Sequence, residues 1–257
     1  MSDGGKWGDL PARVGSAVVM VTIGAVALWL GGLWFRLLCA LICGGMLWEL
    51  TRILAPEKSA LAVQMGILGT GVLLIATYGI GLLTLPVLIA PVLVGATQIS
   101  RERAIFAGYS ALLLLACFGL AALRDFRGVD WVVWLVAVVI ASDVAGYFAG
   151  RMLGGPKVWP RVSPKKTWSG TVAGWIGAAL VGWALLGPGV VVLSVLTAIA
   201  AQMGDIAESA IKRRSGVKDS SALIPGHGGL MDRFDAMMGA ALFVLLVGVT
   251  TGLPGVG

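Results

Sequence analysis

The sequence predicts an all-α polytopic membrane protein, a transmembrane helical bundle of about nine spans with its N-terminus in the cytoplasm. Three observations predict it. Of the 257 residues 58% are hydrophobic and only 12% are charged, which leaves too few polar side chains to coat a soluble fold of that length. Stretches 15–35 and 59–98 carry no ionisable side chain except one tyrosine, and about 20 apolar residues are enough to cross a bilayer as a helix. Lysine and arginine near span ends stay in the cytoplasm, and nine passes from a cytoplasmic N-terminus put 16 of the 19 basic residues there, from Lys6 to Arg233. Only Arg36, Arg124 and Arg127 fall on the other side.

Cutting the apolar runs at charged or Pro/Gly-rich breaks places each element. The first two spans, 14–33 and 35–50, follow Arg13 and part near Trp34; the third, 59–77, begins after Lys58. Spans 80–97 and 104–123 are separated by Arg101 and Arg103, and 131–150 closes before Arg151. The last three are 168–186, 188–204, parted near Pro188, and 236–253, which follows Asp235. Residues 1–130 are read as N-terminal transmembrane helices and 131–257 as a C-terminal catalytic transmembrane region, together one integral membrane unit. Apolar runs that recur to the C-terminus exclude a secreted protein with a signal peptide. Cys39, Cys43 and Cys117 lie inside such runs without further ligands nearby and read as small core residues. Among the 38 glycines, the pairs Gly146/Gly150 and Gly170/Gly174 suit close helix packing.

The net charge of +6 thus belongs to the cytoplasmic face and favours anionic headgroups or phosphorylated substrates. Nucleic acid is a poor partner, because the basic segments lack interleaved aromatic residues. Two polar segments return to that face. The first, Arg151 to Thr167, reads RMLGGPKVWPRVSPKKT and has five basic and no acidic residues. Its glycines and prolines hold Lys165 and Lys166 at the start of the next helix, a natural phosphate site. The second, Asp205 to Asp235, mixes carboxylates with cations. If the helix ending near Met203 continues, Asp205, Glu208, Ser209 and Lys212 share one face, and Asp232 and Asp235 share the next helix's first turn. Magnesium takes one or two carboxylates and completes its shell with water and phosphate oxygens, so carboxylates beside lysines suit a metal–polyphosphate site. Asp143, late in an otherwise apolar span, marks a third position, since a carboxylate inside a span is costly. The lone histidine, His227, stands in GHGG, where glycine permits a tight turn. No GxxxxGK, HExxH or GxSxG pattern is present.

Ser209, Ile211, Lys212, Arg213, Lys218, Asp219, Ser221, Pro225, His227, Gly228, Gly229, Asp232, Arg233 and Asp235 reproduce a spaced signature, and the chain resembles the phosphatidate cytidylyltransferases, or CDP-diglyceride synthases. DVAGYFAGR at 143–151, SPKKT at 163–167 and Gly204/Asp205 resemble further family elements, while Ser169 stands where the family usually has glutamate. The resemblance covers the C-terminal half. It implies magnesium-dependent transfer of CMP from CTP to phosphatidate, giving CDP-diacylglycerol and pyrophosphate, in a bacterial cytoplasmic (inner) membrane with the site facing the cytoplasm. A homodimer would suit the family.

On this reading Asp205 and Asp232 are expected to ligate one or two magnesium ions, with Asp235 a further ligand or a group supporting them, and Asp143 to orient the nucleotide. Lys165, Lys166, Lys212, Arg213 and Lys218 are expected to bind phosphates, helped by backbone donors of the 226–229 turn. Ser209, Ser221, His227, Gly228, Gly229 and Arg233 belong to the expected substrate site, and Asp219 is either catalytic or a partner of the cations. A CTP-dependent lipid kinase of the polyprenol or phytol type is the competing reading. A transporter is disfavoured because the charges gather at one face instead of recurring at mid-membrane depth.

Overall fold

The structure, a computed structural model, describes residues 10–79 and 81–253. Lys6, counted above with the cytoplasmic charges, and residue 80, taken as the start of the fourth span, lie outside the described residues. Among the described residues nine helices are long and apolar enough to cross a membrane. They are α1 (Leu10–Leu30), α2 (Gly32–Leu54), α3 (Ser59–Ala76), α4 (Thr84–Gln98, which reaches spanning length with the 3-10 turn Gly81–Leu83 before it), α5 (Arg103–Arg127), α6 (Val129–Met152), α7 (Trp168–Leu186), α8 (Val191–Arg214) and α9 (Met231–Thr250). Between α6 and α7 runs an antiparallel hairpin, β1 (Lys157–Trp159) and β2 (Ser163–Thr167), with Lys157 opposite Thr167 and Trp159 opposite Ser163.

Several boundaries differ from the sequence expectation by a few residues, and three of them have a clear physical reason. The first two helices part at Gly31, whose φ of 62° only glycine adopts without strain, and not at Trp34. Helix α8 continues ten residues past the expected end, because its polar tail is helix-compatible: Ser209 Oγ donates to Asp205 Oδ1 at 3.3 Å and Lys212 pairs with Glu208 at 2.7 Å, both one turn apart. Lys212, Arg213 and Arg214 occupy its last turn, where cations complement the helix dipole. Helix α9 starts at Met231, five residues early, with Asp232 in its first turn. Lys165 and Lys166 lie on β2 and not in the following helix: Thr167, still extended, caps α7 by accepting from Gly170 N at 3.2 Å.

The chain forms two compact units, and α5 and α9 each contribute to both. One unit comprises residues up to Ala111 with Val217–Phe234. In it α2 packs most extensively on α3 around Met46, Leu47, Leu50, Met65 and Leu73, all essentially buried. Gly44 and Gly66 let the two backbones meet, since a Cβ on Gly66 would lie 3.2 Å from the Gly44 carbonyl oxygen. Cys39 and Cys43 are buried on this helix as small core side chains.

The other unit comprises Leu112–Gly216 and Asp235–Gly257. Here α7 packs most extensively on α6, and α8 lies against both. Gly146 and Gly170 let α6 and α7 approach closely, and a Cβ on Gly170 would press on the Gly146 carbonyl. Gly204 of α8 and Gly239 of α9 meet in the same way, and Trp134 Nε1 donates to Ser194 Oγ at 2.9 Å inside the unit.

Candidate active site

In the second unit, the C-terminal half of α6, the hairpin, the first turns of α7, the C-terminal half of α8 and the start of α9 line a cavity of about 560 Å³. Successive spans reverse direction, so these segments meet at one end of their helices. Arg151, Lys157, Lys165 and Lys166 bring four cations to the wall, and Asp143, Asp205 and Asp235 bring three carboxylates. Asp143 is nine residues from the end of α6, so the cavity reaches about 14 Å down that helix.

The charges are not scattered. Lys166 Nζ pairs with Asp205 Oδ2, and Asp205 receives Ser209 Oγ on its other oxygen at 3.3 Å. Asp235 lines the same cavity as Asp205 and accepts from Ala236 N at 2.7 Å. Asp143 lies within the fields of Lys166 and Asp205. Two adjacent carboxylates repel unless a cation compensates them, and this pair has the hard-oxygen chemistry that magnesium prefers. No group of three or more His, Cys, Asp or Glu disposed to hold a metal occurs among the described residues. Two carboxylates beside a phosphate-sized cavity suit an ion that shares its shell with phosphate oxygens and water, not a closed protein cage.

The floor of the cavity holds residues that the sequence reading passed over. Trp175 Nε1 donates to Gln202 Oε1 at 3.1 Å and Gln202 Nε2 donates to Ser142 Oγ at 3.2 Å, which orients the amide between α6, α7 and α8. At the mouth Arg151 Nη1 donates to Tyr147 Oη at 2.9 Å. Ser169, in the place of the usual family glutamate, donates to the Gly154 carbonyl and lies 3.1 Å from Thr167 Oγ1, so it ties the hairpin's entry to the start of α7.

Of the remaining expected residues in this unit, Lys212 is buried against Glu208 and Arg213 is exposed at the end of α8. In the first unit, the segment from Val217 to Leu230 folds around two carboxylates. Asp232 Oδ2 accepts from Ser220 N, Ser220 Oγ and Gly229 N, each at 2.8 Å. Glu49, fully buried in α2, accepts from Ser220 Oγ at 3.1 Å, Ser221 Oγ at 2.6 Å, Leu230 N at 2.9 Å and Met231 N at 2.7 Å. The GHGG turn closes through Ile224 N to the Gly228 carbonyl at 2.8 Å, with Gly226 and Gly228 at positive φ. His227 Nδ1 lies 2.8 Å from Ser16 Oγ, and its carbonyl accepts from Arg233 Nε at 2.8 Å. Within the turn, His227 N is used by Ile224 and Gly229 N by Asp232, while Lys218 and Asp219 are exposed.

The profile of the cytidylyltransferase family matches residues 11–250, nearly the whole chain. A phosphatidate cytidylyltransferase of Brucella suis biovar 1 (strain 1330) is 39% identical over 96% of each chain. The chain belongs to the phosphatidate cytidylyltransferase family. Enzymes of that name from Haemophilus influenzae and Mycobacterium bovis are 40% and 38% identical over shorter stretches, 46% and 52% of this chain and 45% and 46% of theirs. Family membership thus extends into the N-terminal helices, where the sequence resemblance was hydrophobicity alone. Glu49 lies there, and its only sequence signal is an acidic residue within a predicted span.

Proposed function

We propose that this membrane enzyme transfers CMP from CTP to phosphatidate, forming CDP-diacylglycerol and releasing pyrophosphate, with residues 131–257 carrying the chemistry at the cytoplasmic face. The reading rests on one juxtaposition, the Asp205/Asp235 pair facing Lys166, Lys165, Lys157 and Arg151 in a single cavity. Kinship to proteins named for this reaction supports it.

A phosphatidate oxygen forms the new bond to the α-phosphorus, and the bond to the bridging β-oxygen breaks as pyrophosphate leaves with the electron pair. The attacking oxygen is already anionic, so no strong base is required. The obstacle is bringing two polyanions into line. Lys165, Lys166, Lys157 and Arg151 lower that barrier by binding phosphate oxygens in a partly dehydrated cavity. Asp205 and Asp235 would hold magnesium, and the ion would supply charge neutralisation for the triphosphate and the leaving group. Lys166, paired with Asp205 in this structure, stands within reach of phosphate oxygens entering the cavity. Asp143, deeper in the cavity, orients the nucleotide beside the Gln202 amide.

The decisive experiment incubates detergent-solubilised protein with phosphatidate and CTP labelled at the α- or the γ-phosphate. The α label is expected in lipid and the γ label in pyrophosphate, with no transfer when magnesium is omitted. The γ label in lipid would make the chain a kinase instead.

A further inference from the structure

Glu49 is a carboxylate with no exposed surface, and every partner named for it comes from the signature segment. Burying an ionised carboxylate without full compensation is prohibitive, so such a group persists only where its acceptor sites are filled. Here they are filled from both ends of one loop: Ser220 and Ser221 where it arrives, and the backbone N–H groups of Leu230 and Met231 where it leaves into α9. The surrounding surface is shaped for the same purpose. A Cβ on Gly229 would collide with Glu49 Oε1 and Ser220 Oγ, and a Cβ on Gly45, one turn before Glu49, would collide with Leu230. Ser220 also bonds Asp232, so Glu49 and Asp232 hold the loop through a shared hydroxyl.

We propose that Glu49 is a positioning residue of the transfer reaction: it clamps the two ends of the 220–231 loop and so holds Asp232, His227 and Arg233 in the arrangement the reaction uses. The inference rests on the reaction proposed above. It assigns a role to a helix far in sequence from the signature, and to a residue that touches no reacting atom.

The test compares full-length wild type, Glu49→Gln, Glu49→Asp and Ser221→Ala in nanodiscs, reading kcat and KM for CTP, thermal unfolding, and hydrogen exchange by segment. Glu49→Gln keeps the shape but removes the charge and sets an amide against N–H donors. It is expected to lower kcat about 30-fold, the size expected when charge-assisted hydrogen bonds are lost. Exchange should accelerate in 217–231 alone, with exchange in α6 and α7 and the melting temperature near wild type. Glu49→Asp, which keeps the charge, should recover part of the rate, and Ser221→Ala, which removes one donor, should lie between. If Glu49→Gln does not fold, Ser221→Ala carries the comparison. Wild-type kcat in these variants, or exchange that rises equally in α6 and α7, would overturn the proposal, the second outcome marking a merely global stabiliser. A wild-type chain that moves no α label would instead overturn the reaction, while loop exchange would still report the clamp.

Discussion

Asp205 and Asp235 stand on different helices yet line one cavity, with Lys166 paired to Asp205. Removing either charge leaves Lys166 facing one carboxylate of the pair proposed to hold magnesium. Asp205→Asn and Asp235→Asn are therefore expected to lower kcat by about 100-fold and to raise the magnesium concentration for half-maximal rate, read from initial rates across a magnesium titration. Lys166→Met should raise KM for CTP about tenfold, and its KM should respond less to added salt than wild type, because one screened cation is gone. At this scale the sequence revealed the residue types well. Asp143, Lys165, Lys166, Asp205 and Asp235, all candidates from composition and spacing, line one cavity. It did not reveal partners: Glu49 finds its donors 171 to 182 residues away, and nothing local to a lone glutamate near the end of an apolar run announces them.

Among elements, close glycine contacts hold the helices of each unit together, since lipid supplies no hydrophobic drive for helices to associate. Gly170→Val places two methyl groups and a Cβ against the Gly146 carbonyl, and overpacking of this kind costs about 1–3 kcal/mol. The variant is expected to unfold at lower temperature in detergent and to lose activity, because α6 and α7 carry one wall of the cavity. Gly71→Ala on α3, with open space around its Cβ, is the matched control and should melt no lower than wild type. Glycine pairing was legible because small residues four apart mark one helix face. The polar tail of α8 was legible as a face of carboxylates and cations, but a hydropathy rule ends the helix where the membrane ends, not where backbone hydrogen bonding ends. The hairpin was missed because eleven residues with two prolines and four basic side chains carry no alternating apolar pattern.

At the scale of the molecule, the charge distribution makes a topological prediction. Cysteine in place of Arg161, on the hairpin turn, should react with a membrane-impermeant maleimide in inside-out vesicles and not in right-side-out ones. Cysteine in place of Asp130, at the opposite end of α6, should behave in reverse. The native cysteines are buried and leave both readings clean. A reversal of the two would overturn the cytoplasmic placement of the site.

Sequence alone determined the membrane-spanning architecture, the family, and which carboxylates and cations to examine. Those properties follow from the transfer of consecutive residues into a bilayer and from spaced signature residues, and both are local along the chain. Only the tertiary structure decided that Asp235 lines one cavity with Asp205, and that Glu49 gathers both ends of the signature loop. A buried charge takes as partners whatever donors helix packing carries to it, and packing joins segments that sequence distance keeps apart.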